Sequence, residues 1–176
     1  MMKLEQRISS RRIYDGRILN FRVDEVKIEN GKLTSREIVE HRGAAAIVPI
    51  LEGSEVILVR QYRYAVSTEL LEIPAGTLEP GEQAEDCAKR ELEEETGYTC
   101  QVISKVLECF VAPGYSTEKI HIYLAKGLTK TRPRTEEDEK ITVESFPFEA
   151  ALDKIRSGEI QDAKTIAGLH AAAQLL

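Results

Sequence analysis

The sequence predicts an α+β domain with mixed β-sheets and few helices, and three observations carry that prediction. Short runs rich in Ile, Val and Leu alternate with Gly- and Asn-containing turns over most of the chain. One segment, residues 83–96, lacks Gly and Pro and is closed by Gly97, as a helix with a terminal glycine should be. Two further helical patterns follow the last strand run, so the sum is mixed sheets with few helices, as in an α+β domain.

From the N-terminus, residues 13–40 read as extended segments broken at Asp15-Gly16 and Asn30-Gly31, and the second dipeptide is a strong hairpin signal. Residues 44–51 and 56–62 are apolar runs joined by Glu52-Gly53-Ser54, which predicts two buried strands and a turn. Residues 102–111 and 119–125 add two strands, and residues 141–146 another. Pro147 can then open a helix that Gly158 stops, and a last helix is expected over 162–176.

The 176 residues correspond to one domain with at most a small appendage. The expected division is an N-terminal β extension, residues 1–42, followed by a main domain, residues 43–176. A formal charge of −6 argues against a nucleic-acid footprint, and an anionic ligand would need local positive charge or a bridging cation. No apolar run approaches the length that spans a bilayer, and the N-terminal residues lack the apolar core of a signal peptide. Cys87, Cys100 and Cys109 have neither disulfide-framework nor zinc-site spacing, so reduced, packing thiols and a cytoplasmic setting are expected. His41, His121 and His170 likewise show no ligand spacing and are read as structural.

The helix over 83–96 breaks its own binary pattern. At about 100° per residue, Ala84, Cys87, Ala88 and Leu92 fall within an arc of roughly 140°, the face turned to a core. Glu91 and Glu95 fall in the middle of that arc, where repulsion and desolvation both oppose ionisation unless a cation or donor compensates. Two plainer arrangements also accommodate them: a rotated helix with solvated acids, or pairing with Lys89 and Arg90. However, Asp86, Lys89 and Glu93 already supply a solvent face, and Glu94 extends the acidic edge. Oxygen-only ligands of this kind suit a hard cation, Mg²⁺ or Mn²⁺, better than zinc.

Residues 76–98, GTLEPGEQAEDCAKRELEEETGY, match the Nudix box G-x5-E-x7-R-E-U-x-E-E-x-G-U at Gly76, Glu82, Arg90, Glu91, Leu92, Glu94, Glu95 and Gly97. Only Tyr98 departs, in place of a bulky aliphatic residue, and it is apolar enough to pack. The chain thus resembles the Nudix hydrolases, and the resemblance implies a Nudix-like α/β/α sandwich with mixed β-sheets and an N-terminal β-hairpin extension. It also implies hydrolysis of a nucleoside diphosphate linked to another moiety. By the same resemblance Glu91 and Glu95 are the main metal ligands, Glu94 a further one, and the Ala75 carbonyl a backbone one. Arg90 orients the glutamates, and Glu82 contacts Arg90 or a more distant metal. A favourable charge in the first helical turn is the alternative reading of Glu82.

Ala112-Pro113-Gly114-Tyr115-Ser116-Thr117-Glu118 and the LLEIPAG segment at 70–76 resemble the ADP-ribose pyrophosphatase subfamily. An ordinary Pro-Gly turn is the alternative for the first of these. In that subfamily an N-terminal extension crosses to a second subunit, which implies a homodimer. It also draws its base from an acidic loop outside the box, and Glu137 and Glu139, within Glu136-Glu137-Asp138-Glu139, are the candidates for base and extra metal ligand. The register within those four acids stays open, as does a merely solvated loop. Arg60 and Arg63 close an apolar strand ahead of the box; Arg63 better matches the phosphate-facing position. Arg42, Glu72 and Phe21 are further substrate-site candidates, Phe21 as a stacking partner for adenine.

The function so implied is Mg²⁺-dependent hydrolysis of ADP-ribose to AMP and ribose 5-phosphate. The alternatives are another nucleoside diphosphate sugar, such as GDP-mannose, or a nucleotide-sensing module without turnover.

Overall fold

A computed structural model of the chain describes residues 4–132 and 140–176. The chain divides into two compact units, Met1–Gly43 with Phe110–Lys119, and Ala44–Cys109 with Ile120–Leu176.

In the first unit, strands β1 (Glu5–Asp15), β2 (Leu19–Ile28) and β3 (Leu33–His41) form an antiparallel sheet in that order. The expected hairpin is therefore a three-stranded meander, because both glycine turns reverse the chain. Gly31 takes a φ of 83° in the second, where a side chain would be strained. The 112–116 segment belongs to this unit. Ser116 N–H donates to the Ala112 carbonyl at 2.8 Å, and Val39 N–H to the Tyr115 carbonyl at 2.8 Å, so the turn containing Pro113 is also fastened to β3.

The second unit carries the remaining elements, apart from the terminal residues Phe110 of one strand and Lys119 of the next. Strands β4 (Ala44–Pro49), β7 (Ala75–Thr77), β8 (Tyr98–Phe110) and β9 (Lys119–Lys130) form a mixed sheet of order β7-β4-β9-β8, with β4 and β9 parallel and β4 and β7 antiparallel. Strands β5 (Glu55–Arg63), β6 (Thr68–Glu72) and β10 (Ile141–Pro147) form an antiparallel sheet of order β10-β5-β6. Helices α1 (Ala84–Thr96), α2 (Phe148–Arg156) and α3 (Ala163–Ala172) complete it. The last helix ends earlier than the sequence suggests, and Pro147 caps α2 instead of lying inside it.

Every residue of β4 is buried, as expected for a strand covered on both faces. Ala45 and Ile47 join Cys87, Ala88 and Leu92 of α1 with Tyr123 and Ala125 of β9. Ala46 and Val48 face the other way, into a core shared with Leu58, Ile73, Ile122, Phe148 and Leu169. The period-two alternation of a strand thus feeds two cores from one segment. Tyr98 packs beside the first of these cores, as the sequence allows. Gly168 lets α3 approach β4, since a Cβ there would stand 3.2 Å from Val48 and 3.0 Å from Ile73.

Candidate functional site

The box loop and α1 build one side of the site. Glu85 and Asp86 occupy the first turn of α1, where the helix dipole favours acids. Gly97 ends the helix at a φ of 70°, its N–H donating to the Glu93 carbonyl at 2.9 Å. Lys89 pairs with Glu85 at 2.6 Å on the solvent side and leaves the inner acids to other partners. Glu95 is 5% exposed, so the acid that the helical pattern places inward is buried.

Arg90 organises the cluster. Its Nη1 donates to Glu91 at 2.6 Å and Glu94 at 2.9 Å, while its Nε and Nη2 donate to Glu82 at 2.9 and 3.1 Å. Glu82 also accepts from the Glu79 N–H at 2.8 Å, which ties the loop to the helix. Arg90 is thus a partner of Glu82, one of the two contacts the sequence suggests for it. Arg90 holds the Glu82 carboxyl below its ordinary value, and Glu82, Glu91 and Glu94 together push Arg90 above its own. One turn along, Glu95 accepts the Ala75 N–H at 3.2 Å, which joins the end of α1 to β7. Gly76 is the closest approach in this junction: a Cβ there would lie 1.8 Å from Glu91 Oε1. Only glycine leaves room for the carboxylate. Cys87 lies beneath, and burial, with Glu82 and Glu91 nearby, pushes its thiol up to about 12, so it serves packing and not nucleophilic chemistry.

This oxygen-rich donor set fits a hard divalent cation. Among the described residues no three His, Cys, Asp or Glu side chains already converge as a metal cage; Arg90 bonds to Glu82, Glu91 and Glu94.

The other side comes from β5 and β6. Val59, Gln61 and Arg63 share one face of β5, and Glu72 of β6 stands opposite Val59, so Arg63 can reach Glu72 along that face. Arg63 Nε and Nη2 make a bidentate pair with Glu72, both at 2.7 Å. Glu72 is 1% exposed and also accepts from Lys164 of α3. Burial pushes the Glu72 carboxyl up, but Arg63 and Lys164 together reverse this and hold it below the usual range. The field of Glu95 also reaches Arg63, which relates the two sides of the site. Arg60 belongs to a different network, with Glu144 at 2.6 Å and Glu159 at 3.5 Å.

The structure therefore gathers Ala75, Glu82, Arg90, Glu91, Glu94 and Glu95 at one junction and pairs Arg63 with Glu72. Phe21, partly buried in β2, and Arg42, exposed and donating to the Arg17 carbonyl at 3.2 Å, belong to the first unit. Glu137 and Glu139 lie outside the described residues. Lys164, Asp162 and Thr165 escaped sequence reasoning. Thr165 accepts the Ile73 N–H at 2.8 Å across 92 positions, a separation that no local pattern reveals.

Residues 40–169 match the NUDIX domain family. Over 168 residues the chain is 39% identical to an ADP-ribose pyrophosphatase of Bacillus subtilis, covering 94% of this chain and 91% of that protein. It is 39% identical to a methanol dehydrogenase activator of Bacillus methanolicus, covering 92% and 89%. A GDP-mannose pyrophosphatase of Cronobacter sakazakii is 37% identical, covering 74% and 76%. A solved ADP compounds hydrolase superposes with a TM-score of 0.88 over 100% of this chain and 96% of that one at 22% identity, and so shares the mixed α+β fold. Members of this family generally use divalent metal ions. With the box geometry, these similarities show that the chain belongs to the Nudix family of hydrolases.

Proposed function

We propose that this hydrolase cleaves the pyrophosphate bond of ADP-ribose, with Mg²⁺ as the metal, to give AMP and ribose 5-phosphate. The observation that carries the reading is the Gly76–Glu91–Arg90 junction, found in a chain similar over nearly its full length to an ADP-ribose pyrophosphatase. Glu91, Glu94 and Glu95, with the Ala75 carbonyl, would hold the metal; Glu82 either supports Arg90 or serves a more distant ion. Bound there, the metal supplies charge neutralisation of the diphosphate and activation of water.

The chain's own residues divide the remaining work. Arg90 keeps the box glutamates oriented, and Gly76 keeps the loop close to Glu91. Arg63, partly exposed, offers a guanidinium edge to the substrate phosphates while Glu72 fixes its direction. Phe21 and Arg42 are proposed for the adenosine end; they belong to an N-terminal extension, residues 1–42, proposed to serve a homodimer, with residues 43–176 as the main domain. Glu137 or Glu139 would take the proton from the attacking water. A cytoplasmic setting fits the free thiols.

The second reading, a GDP-mannose pyrophosphatase, is favoured by the Cronobacter relative and keeps the same chemistry. Incubation with Mg²⁺ and, separately, ADP-ribose, GDP-mannose, NADH and diadenosine polyphosphates, with a metal-free control and chromatographic products, decides between them. AMP and ribose 5-phosphate as the dominant products support the first reading. Faster cleavage of GDP-mannose supports the second, and no cleavage of any compound refutes both.

A further inference from the structure

The first turn of α3 lies 92 positions in sequence from the strand that supports Arg63, yet it is wired to that strand by several polar contacts. Asp162 caps the helix, accepting from the Thr165 N–H at 2.9 Å and from the Thr165 hydroxyl at 2.6 Å. Thr165, fully buried, in turn accepts the Ile73 N–H at 2.8 Å, and Ile73 directly follows Glu72. Lys164 pairs with Glu72 and stands 3.0 Å from Asp162. A buried polar network that satisfies its members in this way locks their orientation.

The charges explain what Lys164 adds. Arg63 and Lys164 balance Glu72 and Asp162, and Glu72 Oε2 is shared between the two cations. Without Lys164, the buried carboxylate would have Arg63 as its remaining cation in this set. The guanidinium would then be neutralised by Glu72, and the locus as a whole would turn negative. An anion approaching Arg63 would then meet a net negative locus where it now meets a balanced one.

We infer that Lys164 is a positioning residue of the substrate site: through Glu72 it keeps Arg63 oriented and electropositive toward the substrate's phosphates. This rests on the proposed role of Arg63 and assigns the first turn of α3 a part in substrate affinity.

The test is the kinetics of Lys164→Met, Lys164→Arg, Arg63→Gln and the Arg63→Gln/Lys164→Met double variant with ADP-ribose and Mg²⁺, each checked by thermal melting. Lys164→Met retains the packed methylenes and removes the charge, so KM should rise about tenfold with kcat within about twofold, the signature of lost binding. Lys164→Arg should restore KM to within about threefold. In the Arg63→Gln background Lys164→Met should add nothing, because its effect passes through Arg63. Should Lys164→Met fold poorly, Lys164→Gln carries the same expectation. An unchanged KM in a folded Lys164→Met beside an impaired Arg63→Gln overturns the inference alone, as do additive effects in the double variant. No turnover by the wild type overturns the functional reading and this inference with it; an unchanged KM in Arg63→Gln overturns the proposed role of Arg63 and, with it, this inference.

Discussion

Gly76→Ala is the most economical test of the box geometry. A Cβ at residue 76 would sit 1.8 Å from Oε1, 2.1 Å from the carboxyl carbon and 2.7 Å from Oε2 of Glu91. Ordinary contact begins near 3.4 Å, so the carboxylate has to move by more than an ångström. It is the far end of a rotatable side chain, and swinging away is far cheaper than displacing β7 from β4. The change therefore breaks the 2.6 Å Arg90–Glu91 hydrogen bond and leaves the backbone largely in place. Losing one charge-assisted contact at a partly exposed site costs about 1 kcal/mol of stability, or roughly 2–4 °C in Tm for a chain of this size. Misplacing a proposed metal ligand should cost about 10²–10³ in kcat, the scale seen when a charge-stabilising group leaves an active site. The assay is Mg²⁺-dependent turnover of ADP-ribose alongside thermal melting. Wild-type kcat/KM in a folded Gly76→Ala enzyme would refute the reasoning, because the crowded carboxylate would then have no part in catalysis.

Glu91→Gln should likewise lose about 10²–10³ in kcat with Tm shifted by only a few degrees, and unchanged turnover would remove Glu91 from the metal set. Separate Glu137→Gln and Glu139→Gln changes should show one large loss of kcat, about 10²–10⁴; two neutral results exclude both as the base. Gly168→Ala should destabilise the fold by about 1–2 kcal/mol, because the new methyl meets Ile73, Val48 and Ile122 at 3.0–3.3 Å, and a raised Tm would show that α3 can shift outward. The folded-state pKa of Glu72 is depressed, so its contribution to stability is full above the ordinary carboxylate value of 4.5 and fades as pH falls through the lower folded value. Acid titration of Tm should show that loss in the wild type and a shallower one in Glu72→Gln; identical acid limbs would contradict it.

The box was legible in the sequence because its constraints are local. Glycine at 76 and 97, acids at spacings of three and four, and an apolar arc around Cys87, Ala88 and Leu92 describe one loop and one helix. The helical period alone places Glu95 on the inner face, where it is buried. The buried strands were legible for a similar reason, since a run such as residues 44–49 has little alternative to burial on both faces. The short strands β6 and β7 were not separable from the segment leading into the box, because pairing with β5 and β4, and not propensity, makes them strands.

Chain order determined which chemistry is available here: hard oxygen donors, an arginine within their helix, and a glycine loop ahead of them. Tertiary structure decided which partner each charge takes. Arg90 could have faced solvent and instead bonds to Glu82, Glu91 and Glu94. Arg63 and Arg60, three positions apart on one strand, go to different networks, because the rows beside β5 place Glu72 near one and Glu144 near the other. Lys164 reaches Glu72 only because α3 folds back over β4 and β6. Such pairings depend on which surfaces the packed sheets and helices bring within about 3 Å, and local sequence holds no record of that distance.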